Sequence, residues 1–290
     1  MQARRAQTFA LLAPYLLGAA ALIAIPGLLS FVLSLTFYDG LHPPIYVGLL
    51  NFHDIRFEPL LWVSLRNSLF FVILAVPLRL LGALSLALLY NRPRRAVGIY
   101  RAAAYLPTVI PDVAYALVWL WIFNPLYGPL NIGLRLLGLD PPAWLVSYTW
   151  AKPALVFMSL FQIGEGFVIL LAGLKNIPQD YYDAAHVDGA SRLQALRRIT
   201  LPILSPWLVL LSVRDVILSF QNTFTPAYLM TGGGPYYATF FAPLLIYEEA
   251  FDRFRFGQGA AIMLIVFVVS LLLILMLYWL FEGWGFDELD

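Results

Sequence analysis
Six apolar windows constrain this chain more than any other feature. A helix rising about 1.5 Å per residue needs about 20 mostly apolar residues to cross a hydrocarbon core roughly 30 Å thick. Phe9–Phe37, Leu61–Tyr90, Leu106–Phe123, Trp150–Leu174, Pro202–Phe224 and Gly259–Phe281 meet that requirement. Hydrocarbon offers no partner to a backbone N–H or C=O, so such windows fold as helices that close their own hydrogen bonds. The expected fold class is an all-α integral membrane protein with six transmembrane helices, in a single domain over residues 1–290. Composition agrees: 61% hydrophobic and 12% charged residues, with a mean hydropathy of +0.79, lie outside the soluble globular range. The opening Met1-Gln2-Ala3-Arg4-Arg5 has the charge of a secretory signal, but the apolar run behind it is about twice a signal's usual core. A retained first span is expected.

Where the few charges fall matters more than their sum of +1, which gives no argument for nucleic acid. With an N-terminus on the cytoplasmic side, the inner segments hold Arg4, Arg5, Arg92, Arg94, Arg95, Arg101, Lys175, Arg192, Arg197 and Arg198. The outer ones hold Arg56, Arg66, Arg135, Lys152, Arg253 and Arg255. Basic residues concentrate inside, so both termini are expected in the cytoplasm, although Glu282, Asp287, Glu288 and Asp290 make the C-terminus acidic. Pro26, Pro77 and Pro226 are expected to kink their helices. The chain has no cysteine, hence no disulfide or thiol chemistry. Its three histidines, His42, His53 and His186, are scattered and read as solvated loop residues; no metal site is expected.

The most structured polar interruption is residues 175–201, between the fourth and fifth windows. Pro178 suits a first helical position, with Asp180 near the positive end of the helix dipole. Tyr181, Ala184, Ala185 and Asp188 share one face of the resulting short helix, and Gly189 stands where a left-handed cap would stop it. Ser191 can cap a second short helix with Leu193, Leu196 and Ile199 on its apolar side, before Pro202 opens the next span.

Asp183-Ala184-Ala185, Asp188-Gly189-Ala190 and Ile199-Thr200-Leu201-Pro202 closely resemble the EAA loop of binding-protein-dependent ABC importer permeases, with Asp183 in place of the usual Glu. The likeness extends along the chain and is greatest to the carbohydrate-uptake class, the maltose and glycerol-phosphate permeases among them. Tyr46-Val47-Gly48-Leu49 with Asn51-Phe52, Tyr105-Leu106-Pro107 with Trp119, Asn124-Pro125 and Gly128, and Leu171-Ala172-Gly173-Leu174 with Ile177-Pro178 are similar to stretches of that class. Met230-Thr231-Gly232-Gly233-Gly234-Pro235 is similar to an outer-loop motif of one of its two permeases. The resemblance implies a type I ABC importer permease fold in a bacterial or archaeal cytoplasmic membrane. It implies a second related permease, two copies of a cytoplasmic ATPase, an external solute-binding protein and a small, sugar-like cargo. Tyr181, Asp183, Ala184, Ala185, Asp188, Gly189 and Ala190 would contact the ATPase, which would carry the ATP and Mg; this chain would bind no cofactor and be no enzyme. The triple glycine lacks the Lys and Ser or Thr of a phosphate-binding loop and lies on the outer side.

Polar residues within spans cost about 2.5–3.5 kcal/mol at the bilayer centre and call for a partner or a cavity. Arg79, Glu165, Arg214 and Asp215 are such residues. Arg79 reads as structural, and Glu165 as a path residue or a partner of Arg79 or of the second permease. Neighbours on a helix point in different directions, so Arg214 and Asp215 are not expected to pair. Gln162 is expected on the face of Glu165, with Gln221 and Asn222 one to two turns beyond Asp215. With Phe161, Phe220, Phe224 and Tyr228 as aromatic companions for a sugar ring, these are the candidate substrate-path residues. Two other classes compete. A membrane-embedded enzyme could use Asp188-Gly189, but no further carboxylate follows before Asp215. An ion-coupled secondary transporter could use Glu165 and Asp215, but it leaves the loop unexplained.

Overall fold
The computed structural model describes residues 2–91 and 97–281, with side chains for 11–91 and 97–280. The side chains of Arg4, Arg5, Arg92, Arg94 and Arg95, and the acidic tail at Glu282, Asp287, Glu288 and Asp290, lie outside the described residues. The chain begins with α1 (Gln2–Ala19), a π turn at Ala20–Ala24 and α2 (Ile25–Ser34). A two-stranded hairpin follows, β1 (Thr36–Phe37) and β2 (Ile45–Tyr46), antiparallel with Thr36 opposite Tyr46. Next come α3 (Leu50–Arg56), α4 (Pro59–Tyr90), α5 (Val97–Tyr105), α6 (Asp112–Ile122), α7 (Pro129–Leu136), α8 (Ala151–Ser159) and α9 (Gly164–Lys175). The remainder is α10 (Gln179–Val187), α11 (Arg192–Ala195), α12 (Leu201–Asn222), α13 (Phe224–Pro226), α14 (Ala242–Tyr247) and α15 (Phe256–Phe281).

Among the described residues, four helical stretches are long and apolar enough to span: Leu11–Ser34, Pro59–Tyr90, Arg192–Thr231 and Phe256–Leu280. Two bent pairs bring the number to six if each is one span. The expected third helix at 106–123 is instead α5 with a 3-10 turn at Leu106–Val109, then α6, bent by 102°. Proline is the cause: Ile110, before Pro111, is extended at φ −71, ψ 128, because a following proline disfavours the helical region. The expected fourth helix at 150–174 is α8 and α9, bent by 43°. There the amides of Leu160, Phe161 and Gln162 tighten to i−3 carbonyls at 3.1–3.2 Å, and Ser159 Oγ donates to the Val156 carbonyl at 2.7 Å. Gln162 therefore sits in the break, off the helical face it was expected to share with Glu165, and Glu165 opens α9 rather than lying within a long helix.

A third correction concerns 191–202. The second short helix is not separate: α11 runs through a π turn at Leu196–Thr200 into α12, and helix continues to Thr231. Pro202 cannot donate to the carbonyl of residue 198, and the π turn at Leu196–Thr200 lies immediately ahead of it. Further π turns lie just before Pro26 and just after Pro226.

The chain forms two compact units, one from the N-terminus to Trp62 with Leu245–Phe267, the other Val63–Leu244 with the residues after Phe267. In the first, the buried Asn51 side chain donates to the Ser34 and Thr36 carbonyls at 2.8 Å each, fixing the hairpin to α3. In its loop, the backbone amide and the ring of His42, then the Leu41 amide, hold the Asp39 carboxyl well below the usual carboxylate range. In the second unit, Ala83 and Ala87 of α4, Phe167, Leu170, Leu171 and Leu174 of α9, and Leu204, Leu208 and Leu211 of α12 form one buried cluster. The three- and four-residue spacings give each helix a single buried stripe. In lipid such contacts are driven by close van der Waals packing, and small residues permit it. A Cβ on Gly173 would lie 2.8 Å from Leu204 Cδ2, so glycine lets α9 and α12 approach.

Candidate functional site
The loop joining α9 to α12 is a built structure. Pro178 is the N-cap of α10, at φ −60 and ψ 138, one position before the first helical site expected for it. At the other end Gly189 is left-handed at φ +75, its amide donating to the His186 carbonyl at 3.1 Å and that of Ala190 to the Ala185 carbonyl at 2.9 Å. Together these bonds complete a Schellman cap, which satisfies carbonyls that a helix end leaves without partners. Ser191 then caps α11 in a reciprocal box: its Oγ accepts from the Gln194 amide at 3.4 Å, and Gln194 Oε1 accepts from its amide at 2.7 Å. Ser-x-x-Gln is the sequence sign of such a box, worth about 1 kcal/mol as a cap.

Two residues that sequence reasoning passed over tie this loop to the spans. Tyr182 Oη hydrogen-bonds Thr200 Oγ1 at 2.9 Å, and the Tyr182 ring packs with Ile199 and Leu201 against the α4–α9–α12 cluster. Tyr181, Asp183, Ala184, Val187 and Asp188 stay exposed. Asp183 accepts a hydrogen bond from Gln179 Nε2 at 3.1 Å. Leu193, expected on the apolar side of the second short helix, is exposed as well. A short helix is thus held on one side and left open on the other, flanked by a groove of about 280 Å³ lined by Ala185, Asp188, Gly189, Ala190, Gln194 and Arg198.

The four charged residues within the spans come together. Arg79 Nε lies 3.3 Å from Asp215 Oδ2, and its Nη2 donates to Ser219 Oγ. Arg214 Nη2 pairs with Glu165 Oε2, and Arg214 Nη1 lies 3.6 Å from Asp215 Oδ1. One expectation fails here: Arg214 and Asp215 do meet. Of the alternatives open for Glu165, the pair with Arg79 is not formed, and Arg214 is its partner instead. Asp215 continues the buried stripe of Leu204, Leu208 and Leu211, while Arg214 is rotated about 100° away. A guanidinium on a long, flexible stem reaches back across that angle. Side-chain exposure follows the same geometry: 10% for Arg79 and 14% for Asp215, against 36% for Arg214 and 45% for Glu165. Glu165 stands in the first turn of α9, where the helix dipole favours a carboxylate.

Gln162 joins Arg79, Arg214 and Asp215 around a small cavity beside this quartet. Gln221 and Asn222 are exposed at the end of α12, about 10 Å further along. Phe224 stacks on Tyr228 with centroids 5.5 Å apart. Phe161 packs on Trp119 at 5.0 Å, whereas Phe220 is buried and offers no open face. The glycine segment forms a turn, left-handed at Gly232 and Gly233 and held by Thr239 Oγ1 donating to the Gly234 carbonyl at 2.7 Å. Asn67 on α4 pins the following residues by donating to the carbonyls of Tyr237 and Phe240 at 2.7 and 3.1 Å. A larger cavity of about 420 Å³, lined by Trp121, Phe123, Tyr127, Trp144 and Met230 among others, contains none of the expected path residues. Among the described residues no group of three or more His, Asp or Glu can hold a metal.

Comparison with known proteins matches this architecture. The family model of the binding-protein-dependent transport system inner membrane component covers residues 79–283. A probable ABC transporter permease protein of Bacillus subtilis, YesP, is 37% identical over 275 residues, 93% of this chain and 88% of that protein. The trehalose/maltose transport system permease protein MalF of Thermococcus litoralis is 33% identical over 244 residues, 81% of this chain and 82% of that protein. A chain in the crystal structure of a bacterial ABC transporter that imports the acidic polysaccharide alginate superposes with a TM-score of 0.80 at 22% identity. That match covers 96% of this chain and 95% of the other, which makes the fold that of a type I ABC importer permease. These relatives are transport permeases rather than enzymes, and the chain belongs to the family of binding-protein-dependent transport system inner membrane components.

Proposed function
We propose that this chain is one of two permease subunits of an ATP-driven importer for a sugar or sugar-like solute, and that it takes its energy through α10. The observation that carries the reading is the held-and-open short helix. Tyr182, Thr200 and the apolar cluster join α10 to α9 and α12 at once, and the Schellman cap at Gly189 makes it a rigid piece. Displacement of α10 by a partner would therefore move two spanning helices. Small Ala184 beside exposed Tyr181 and Asp188 admits close approach of a second protein. The partner is a cytoplasmic ATPase, present in two copies, which binds the ATP and Mg; the α10 end of the spans and both termini face it.

The cargo class follows from relatives named for trehalose and maltose or found in an alginate importer. Glu165, Arg214 and Gln162 form this chain's contribution to the path, with Gln221, Asn222, Phe224 and Tyr228 further along. Arg79 and Asp215 form its buried support. A solute-binding protein delivers cargo to the opposite end, and the second permease supplies the other half of the path. Ion-driven transport finds no support in a family of binding-protein-dependent components. Reconstitution tests the reading: uptake into vesicles should require this chain, a second permease, the ATPase with ATP, and the binding protein. Uptake by this chain alone, driven by a proton or sodium gradient, would refute it.

A further inference from the structure
We propose that the cavity at the end of the spans away from α10 is a phospholipid site, which takes one hydrocarbon chain between α6 and residues 143–146 and holds the lipid phosphate at Arg135. The inference needs the membrane-spanning fold and is independent of the cargo.

The first ground is position. Met230, which lines the cavity, is one residue from the end of the 40-residue helical stretch Arg192–Thr231 that starts beside α10. At about 1.5 Å per residue that stretch is about 60 Å long, more than the roughly 40–45 Å of a bilayer with its headgroups. Its far end therefore reaches the headgroup level on that side. Trp121, Tyr127 and Trp144 of the lining are residue types that gather at this level, and Trp150 meets Trp144 edge to face at 5.5 Å. Val113, Leu117 and Trp121 stand four residues apart on α6 and are all exposed. They form an open apolar stripe whose last two members line the cavity.

The second ground is chemistry. The cavity measures about 420 Å³, and its polar wall atoms are already engaged: Asn124 Oδ1 accepts from the Leu126 and Tyr127 amides at 3.0 and 3.2 Å, and Trp144 Nε1 donates to Asn131 Oδ1 at 2.6 Å. A hydroxyl-rich solute needs converging donors and acceptors, whereas a hydrocarbon chain needs none. Asn131 of α7 also donates to the Pro125 carbonyl at 3.2 Å, so the walls at Pro125 and Trp144 are braced together. Arg135, in the last turn of α7, donates to the carbonyls of Pro125 and Leu126 at 2.6 and 3.3 Å, which sets its guanidinium at the edge of the cavity. Neutral carbonyls do not cancel its charge, and among the described residues it forms no ion pair. An exposed, uncompensated guanidinium beside an apolar cavity complements a phosphodiester that carries a hydrocarbon chain.

The test uses the complete complex, released into detergent from vesicles of phosphatidylcholine and phosphatidylglycerol, with retained phosphatidylglycerol counted by native mass spectrometry. Wild type should retain one molecule that Ala143→Phe lacks, because Ala143 lines the cavity and a ring in place of its methyl group fills it. Arg135→Gln should hold that lipid about fivefold more weakly, and Arg135→Lys, which keeps the charge, within about twofold of wild type. Inorganic phosphate should not displace it. Equal retention by wild type and Ala143→Phe overturns the proposal, as does an Arg135→Lys variant as weak as Arg135→Gln. Displacement by inorganic phosphate would mark a bare anion site, and loss of the second permease from Ala143→Phe with an unchanged lipid count would assign the cavity to that subunit; either result ends the lipid reading. Should Ala143→Phe fail to assemble, Arg135→Gln still decides, since retention equal to wild type refutes the phosphate contact.

Discussion

Replacing Gly189 with valine is expected to cut ATP-driven uptake by about tenfold or more while the ATPase still turns over. The backbone there is left-handed at φ +75, a region that costs an L residue about 1–2 kcal/mol and a β-branched one more. A Cβ at this position would meet nothing within 4 Å, so the effect comes from backbone strain alone. The strain falls on the Schellman cap that holds Ala185 and Ala190 in place and makes α10 rigid enough to transmit movement. Asparagine tolerates the left-handed region, and Gly189→Asn should stay within about threefold of wild type. Parallel uptake and ATP hydrolysis in vesicles measure both variants; normal coupled uptake by Gly189→Val would remove the cap from the mechanism.

The second large effect concerns the buried pair. Asp215→Leu leaves the Arg79 guanidinium, only 10% exposed, without its carboxylate, and breaking such a pair typically costs about 3–5 kcal/mol. Assembly of the permease should fall sharply, visible as lost monodisperse complex and a lowered melting temperature in detergent. The double variant Arg79→Met/Asp215→Leu removes both charges and should recover most of the loss, because apolar residues of similar volume often replace a buried pair at little cost. A double variant as unstable as the single would mean that Asp215 acts on something other than Arg79.

Sequence and structure agree most where one physical rule dominates. Apolar length pointed to the four long helical stretches, because lipid permits only self-satisfied helices. The left-handed Gly189 and the Ser191 cap were readable because each rests on a local backbone requirement. The two bends were not. Pro107 and Pro111 could have signalled the first; the second lies at Leu160–Ile163, which holds no proline, and depends on i−3 bonding that sequence spacing does not reveal. The pairing of the quartet was missed for a related reason. Residue direction along an ideal helix placed Arg214 and Asp215 apart, but arginine length and the break before Gly164 decided which charges meet. Tyr182 and Thr200 were invisible as a pair because their contact spans 18 residues and two helices.

The central claim is that α10 is this permease's contact with a separate ATPase. Because the chain has no cysteine, a single introduced thiol gives cross-linking free of background from this subunit. Ala184→Cys, on the open side of α10, should form a disulfide with a cysteine scanned along the ATPase surface in the complete complex, and its yield should change when ATP is added. Leu41→Cys, in the loop between the hairpin strands, should give none. The account is contradicted if Ala184→Cys cross-links to no ATPase position with or without ATP while Leu41→Cys does.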